Sequence, residues 1–241
     1  MLPTDRIRNK AVLLHDARQG IADGEYMPFD QSADVCVVQV DGGDAFAAGI
    51  LTLALNVDDG ETVRVGNHIY TAKDVLSGAA DEFLKGATAS LSLDSLIAAI
   101  NKAPAVVPAL YDAATKENVW VSAAAGAGDT MDVTCRWAGT SGNVIPTTET
   151  LLGVGNQWGA ATLAGGTDFV GTVDFLASLN DLEFEAIAAF PIDGGSKVTS
   201  ATTPGAWRID MAGVAIFKAP VSAWTSGSIT VRILHRRKSQ G

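Results

Sequence analysis

The chain has little of what most enzymes and membrane proteins carry. Its 241 residues include only two cysteines and three histidines. His15, His68 and His235 stand far apart, none with a second ligand at metal spacing, so no zinc-type site is expected. Charged residues make up 18% of the chain, and 27 acidic side chains outnumber 17 basic ones. A sequence-independent grip on nucleic acid needs a basic face, as does attraction to an anionic membrane, so neither partner is expected. No hydrophobic run approaches a membrane span. The opening stretch, MLPTDRIRNKAVLLHDARQG, lacks the uninterrupted apolar region of a signal peptide, and the expectation is a chain made in the cytosol without an export address.

Catalytic constellations are missing as well. There is no Gly-x-Ser-x-Gly elbow, and Gly153-Val154-Gly155-Asn156 lacks the strand-then-helix setting of a dinucleotide fingerprint. Asp41/Asp44, Asp58/Asp59 and Asp193 lie in Gly-containing turns, but none follows the alternating acidic pattern and closing Glu of a calcium loop, so they read as turn formers. Glu183 and Glu185 share one strand face, yet a glycosidase pair needs a second wall to its cleft and none is legible. The sequence therefore predicts no enzyme, no cofactor and no metal.

What is present is apolar residue and glycine. A 47% hydrophobic content provides ample core, and 25 glycines with eight prolines suit a loop-rich β protein. From Gly205 to Leu234, Trp207/Ile209/Met211, Val214/Ile216 and Ile229/Val231/Ile233 alternate with polar or small residues at strand period, and Thr225-Ser226-Gly227-Ser228 offers a tight reversal. This predicts a meander closing one sheet, which needs a facing sheet from elsewhere. The β-branched run Val35 to Val40, read as covered on both faces, is the expected partner, with Asp41-Gly42-Gly43-Asp44 breaking the strand.

Between these flanks lies a different surface, with 13 acidic and 6 basic residues from Leu51 to Asp168. Leu51 to Val57, Thr62 to Val65 and His68 to Thr71 read as a hairpin series turning at Asp58-Asp59-Gly60 and Gly66-Asn67. Ser92 to Lys102 carries Leu93, Leu96, Ile97 and Ile100 at helical spacing, with Ser92 and Asp94 near its start. Val119 to Ser122 and Met131 to Trp137 read as strands. After Thr167 the strand pattern returns at Val173/Phe175 and Leu182/Phe184. Neither flank alone has enough strands for a sandwich, but together they do. The predicted fold class is mainly β: a jelly-roll-like antiparallel β-sandwich built from 1–50 and 169–241, interrupted by a small α+β domain at 51–168. Cys36 and Cys135 then fall in separate modules, as buried free thiols rather than a disulfide.

Two features bear on partners. The tryptophans, Trp120, Trp137, Trp158, Trp207 and Trp224, mostly lie on strands, where core or subunit-interface packing competes with carbohydrate stacking. Arg232, His235, Arg236, Arg237 and Lys238 form a dense basic end, which reads either as a solvated terminus or as a docking arm.

The stretches DGETVRVGNHIYTA from Asp59, SLDSLIAAINKA, AGTSGNVIPTTETL and WGAATLAGGTD resemble a module that recurs within structural proteins of tailed bacteriophages. GTVDFLASLNDLEFEAI and GAWRIDMAGVAIFKAPVSAWTSGSITVRIL resemble the β-sandwich of the same class, except that Leu182 replaces the usual Gly after the Asn-Asp turn. The resemblance covers about three quarters of the chain and rests on strand and turn patterns. It implies a virion protein made in the host cytoplasm, first a capsid decoration or cement protein. Such a protein contacts the major capsid protein or other virion proteins as a homo-oligomer, without direct nucleic-acid or membrane contact. The alternative it leaves open is a tail, baseplate or fibre part that binds a host receptor or glycan. Arg232, Arg236, Arg237, Lys238 and Trp224 are the candidate contact residues.

Overall fold

The computed structural model describes residues 10–18, 20, 27–28, 35–104, 109–180 and 182–236. The chain divides into two compact units, one made of Met1–Asp44 with Asp168–Gly241, the other of Ala45–Thr167. In chain order come β1 (Lys10–Arg18), β2 (Met27–Pro28) and β3 (Val35–Thr52). Then follow β4 (Thr62–Val65), β5 (His68–Lys73), β6 (Glu82–Leu84), helix α1 (Ala89–Asn101), β7 (Val121–Ala125) and β8 (Thr130–Ala138). A 3-10 turn at Thr140–Val144 leads to β9 (Thr147–Glu149), β10 (Gln157–Trp158) and β11 (Thr167–Asp168). The return is short-stranded: β12 (Val170–Asp174), β13 (Leu176–Ser178), β14 (Glu185–Ala186), β15 (Ala189–Pro191) and β16 (Ser200–Ala201). Longer strands close it: β17 (Gly205–Asp210), β18 (Ile216–Lys218), β19 (Val221–Ser226) and β20 (Ser228–Arg236).

The first unit is an antiparallel sandwich. One layer runs β1-β20-β3-β17-β15, and two smaller sheets, β16-β12-β19 and β14-β13-β18-β2, supply the other side. Val38 and Val40, Trp207 and Ile209, and Ile229, Val231 and Ile233 point into one core with Val173, Phe175, Phe217 and Val221. Burying each such side chain stabilises the fold by about 1.5–3 kcal/mol.

Four expectations are corrected here. Val35 to Val40 is not the facing partner of the closing stretch; it lies between β17 and β20 in the same sheet, Val38 opposite both Trp207 and Ile233. Nor is it covered on both faces, since only Cys36, Val38 and Val40 are buried while Val35 is 37% exposed; the β-branched residues between reflect sheet preference. The closing stretch is not one meander: β17 and β20 join the large sheet, β18 pairs with β13 and β19 with β12, so Ser226-Gly227-Ser228 carries the chain between sheets. Asp41-Gly42-Gly43-Asp44 does not end a strand either. Gly42 stays in the ladder opposite Ile229 at a φ of 140°, and β3 runs on to Thr52.

The second unit is α+β. β6-β5-β4-β9 forms one sheet, antiparallel except for the β5–β6 pair. The end of β3 pairs with β8 and β10, and β7 adds to β8. Leu93, Leu96, Ala99 and Ile100 of α1 bury among Tyr70, Phe83, Val121, Met131 and Val133. The helix starts three residues before the expected Ser92 because Thr88 caps it, its Oγ1 accepting from Leu91 N at 3.3 Å. Ser92 instead is buried, accepting from Gly86 N and donating to Asn56 Oδ1. At the other end Asn101 donates to Ala123 O at 2.7 Å and accepts from Ala123 N at 3.0 Å. Its amide thus takes the place of a neighbouring strand on β7, which blunts a pairing edge. Asn143 grips Gly166 the same way, through both of its backbone polar groups. That pairing links AGTSGN to AGGTD.

Buried carboxylates anchor loops in this unit. Glu61 accepts from Asp58 N and Leu152 N, and Glu82 accepts from Ser77 N and Ser77 Oγ, both at 2.7 Å. The two bonds from Ser77 hold the Glu82 carboxyl below its ordinary value of 4.5. A depressed folded value contributes stability at neutral pH that is lost as pH falls from the ordinary carboxylate range through the folded value. Ser77→Ala should therefore lower the melting temperature at pH 7 and have a smaller effect in strong acid, as read from melts across that range. An equal effect at both extremes would contradict the assignment.

Candidate functional site

The expected contact residues fall at several places on the sandwich. Trp224 stands on β19, 37% exposed, its Nε1 donating to Gly227 O at 3.0 Å. Among the described residues β19 pairs only with β12, and Ser222 to Thr225 are exposed along it. β15 ends the strand order of the larger sheet, but its outer backbone is filled, Ala189 exchanging hydrogen bonds with Val198 at 2.7 and 2.9 Å and Pro191 O accepting from Gly194 N. It exposes Phe190, with the Arg208 guanidinium 5.9 Å from the ring centre. Arg232 donates to Asp41 Oδ2 at 2.9 Å, and Gln39 Nε2 donates to Asp41 Oδ1 at 3.0 Å. Its charge is therefore matched within its own sheet. Arg236 is the last residue of β20, opposite Val35, while Arg237 and Lys238 lie outside the described residues. The structure does not bring Arg232 and Trp224 onto one strand or one sheet.

The other candidates from sequence separate into structural roles. Glu183 and Glu185 are exposed and line a cavity of about 300 Å³ with Leu179, Ile187 and Val214. The turn before them closes without glycine, because Asn180 Oδ1 accepts from both Leu182 N and Glu183 N. Asp44 accepts from Ser226, Asp58 faces Lys85 at 3.5 Å and Asp59 accepts from Asp74 N. His68 Nδ1 lies 3.0 Å from Asp81 Oδ2 and its ring stacks on Tyr70. His15 and His235 occupy positions on β1 and β20. Cys36 and Cys135 are buried free thiols, one in each unit, and burial pushes the Cys36 thiol up to about 12.

A cleft in the second unit was not legible as such. Gly66 and Asn67 form the tight turn between β4 and β5, and the Gly66 amide donates to Pro146 O at 2.8 Å. Trp120 leads into β7, and its carbonyl accepts from Arg136 N, which sets it beside the end of β8 where Trp137 stands. Arg64, Asn67, Trp120, Trp137 and Ser141, with an apolar wall at Val144, Ile145 and Pro146, line an open cleft of about 350 Å³. Trp137 is 39% exposed, and its Nε1 donates to Ser141 Oγ at 2.9 Å. Arg64 is exposed, and its Nε donates to Gly66 O at 2.8 Å, which braces the guanidinium at the rim. Gly66 has a φ of 65°, and a Cβ there would meet Trp120 Cε3 at 2.7 Å. Gly66→Ala should therefore cost about 1–3 kcal/mol and displace the Trp120 ring, seen as a shifted tryptophan emission. An unchanged spectrum and midpoint would contradict this placement. The cleft's residues come from β4 and its turn into β5, the open end of the β7–β8 pair and the 3-10 turn that follows it, so no local motif marks it. The Gly66-Asn67 turn was the one local signal.

No family model matches the chain, and no curated protein sequence matches it to a significant degree. Among solved structures it is similar to the SPBc2 prophage-derived protein YomS, at 8% identity and a TM-score of 0.40, over 98% of this chain and 99% of that one. It is also similar to the PBSX exported protein XepA, at 9% identity and a TM-score of 0.41, covering 97% of this chain and 39% of that chain.

Proposed function

We propose that the chain is a structural protein of a tailed-phage particle, and specifically a capsid decoration protein that stabilises the head through protein–protein contacts. The observation that carries this reading is that β19, which among the described residues pairs only with β12, exposes Trp224 along its open edge, while the sandwich exposes a second aromatic residue, Phe190, on β15. An open edge offers unpaired backbone groups as a template for another chain, and aromatic residues are enriched in interface cores. The resemblance of the strand and turn patterns to phage sandwich proteins supports it. The partners are then the major capsid protein and further copies of this chain, and the work requires no chemistry. Capsular polysaccharide, peptidoglycan and nucleic acid should all survive incubation with the protein. Because a lattice repeats one contact many times, a modest single contact is enough.

The test is binding to purified heads that lack the protein. Wild type should bind saturably, and replacing both Phe190 and Trp224 by Ala should weaken binding about tenfold or more at an unchanged melting temperature. Since β20 continues to Arg236, the basic end is best probed by removing only residues 237–241, which should weaken binding modestly and in a salt-dependent way. Undiminished binding by the double variant would remove the basis for this interface. The second reading, a tail or fibre part, has its own supporting feature in the tryptophan cleft.

A further inference from the structure

The geometry points to the cleft of Trp120 and Trp137 as a binding site for an acidic saccharide. This goes beyond the assembly role and does not depend on it. At about 350 Å³ the cavity lies toward the lower end of small-molecule sites, which run from about 300 to 1,000 Å³, and so suits a short stretch of glycan rather than a protein face.

The lining chemistry narrows the ligand class. A sugar ring is amphipathic, with a face of C–H groups and a rim of hydroxyls. Two indoles and the wall of Val144, Ile145 and Pro146 suit the former, while Asn67, Ser141 and the Arg64 guanidinium suit the latter. A wholly apolar ligand would bring no hydrogen-bonding partner to those three polar side chains. Both indoles are held in place before any ligand arrives, Trp137 through Ser141 and Trp120 over the Gly66 turn, so little ordering entropy remains to be lost on binding.

Charge selects further. Arg64 is the single charged residue lining the cavity, and no carboxylate lines it, although acidic residues outnumber basic ones two to one across 45–167. A ligand carboxylate would meet a braced guanidinium able to form charge-assisted hydrogen bonds. A polynucleotide would bring a row of phosphates to an acidic unit with one cation at the site, which disfavours it. A uronic-acid sugar, with one carboxylate per charged residue and a C–H face for stacking, matches the whole lining.

The experiment is a titration of the full chain, followed by tryptophan fluorescence and calorimetry. The probes are a tetrasaccharide of alternating glucuronic acid and N-acetylglucosamine, a tetramer of galacturonic acid, the neutral tetramer of N-acetylglucosamine, and uridine monophosphate. At least one acidic tetrasaccharide should bind saturably and more tightly than both the neutral tetramer and the nucleotide. Trp137→Ala should weaken that binding about tenfold or more. Arg64→Gln should reduce the acidic-over-neutral preference by up to about fivefold. Trp224→Ala, on the other unit, should leave binding unchanged, and melting temperatures should confirm that each variant is folded. The proposal is overturned by no saturable binding of either acidic probe, by tighter binding of the nucleotide, or by a folded Trp137→Ala that binds as wild type. None of these outcomes bears on attachment to heads, which is read with Phe190 and Trp224.

Discussion

Gly42→Ala should destabilise the sandwich by about 2–6 kcal/mol, enough to consume much of the stability of a typical domain. Gly42 lies within β3, paired with Ile229, at a φ of 140°. A Cβ at this position would stand 1.9 Å from the Ser228 carbonyl oxygen and 2.9 Å from its carbon, far inside van der Waals contact. Both are backbone atoms of the neighbouring strand, so no side chain can swing away. Two costs combine: about 1–3 kcal/mol for forcing an alanine into this backbone region and about 1–3 kcal/mol for overpacking. Gly60→Ala separates them, because Gly60 also has a positive φ, 86°, but its Cβ would meet nothing within 4 Å. Urea midpoints should show Gly42→Ala falling well below Gly60→Ala. Equal shifts would mean that the β3–β20 pair yields easily and that the close approach is not a constraint.

The second large effect is expected at Asn118, which is fully buried. Its Oδ1 accepts from Trp120 N at 3.0 Å, and its Nδ2 donates to Val65 O at 3.3 Å and lies 3.4 Å from the Tyr70 hydroxyl. One side chain thereby ties the entry of β7 to the end of β4 and to the core. Asn118→Ala would leave the Trp120 amide and the Val65 carbonyl without that partner in a region closed to water, at about 1–3 kcal/mol for each unsatisfied group. The expected loss is about 2–6 kcal/mol. Asn118→Asp should do at least as much harm, since it sets an acceptor against the Val65 carbonyl. Both substitutions should also shift tryptophan emission, because Trp120 is positioned through this residue. A loss under 1 kcal/mol, with unchanged emission, would show that the network is not supporting the cleft.

Why some of this was legible and some was not follows from the same residues. Period-two alternation at Trp207/Ile209 and Ile229/Val231/Ile233 reports which face is buried, and it placed those strands and the mainly β class correctly. Alternation says nothing about which strand lies beside which. The three-way division of Gly205 to Leu234 among sheets therefore stayed hidden, as did the insertion of β3 between β17 and β20. Gly42 misleads because a glycine between aspartates signals a turn, whereas here it serves a close backbone approach inside a strand. Ser92 misled for a related reason: a small hydroxyl residue beside an apolar run suggests a cap, but Thr88 held that position and Ser92 was buried to bond Asn56 and Gly86. The Trp120–Trp137 cleft needed Arg64, Trp120 and Pro146 to meet in space, which sequence order conceals.

The claim that this is a head-decorating structural protein is tested most directly by counting its copies in purified phage particles, by quantitative mass spectrometry against the major capsid protein. A copy number comparable to that of the capsid subunits, the same in tailed and tailless particles, is the result the account predicts. Absence from particles, or a few copies that disappear when tails are removed, would contradict it.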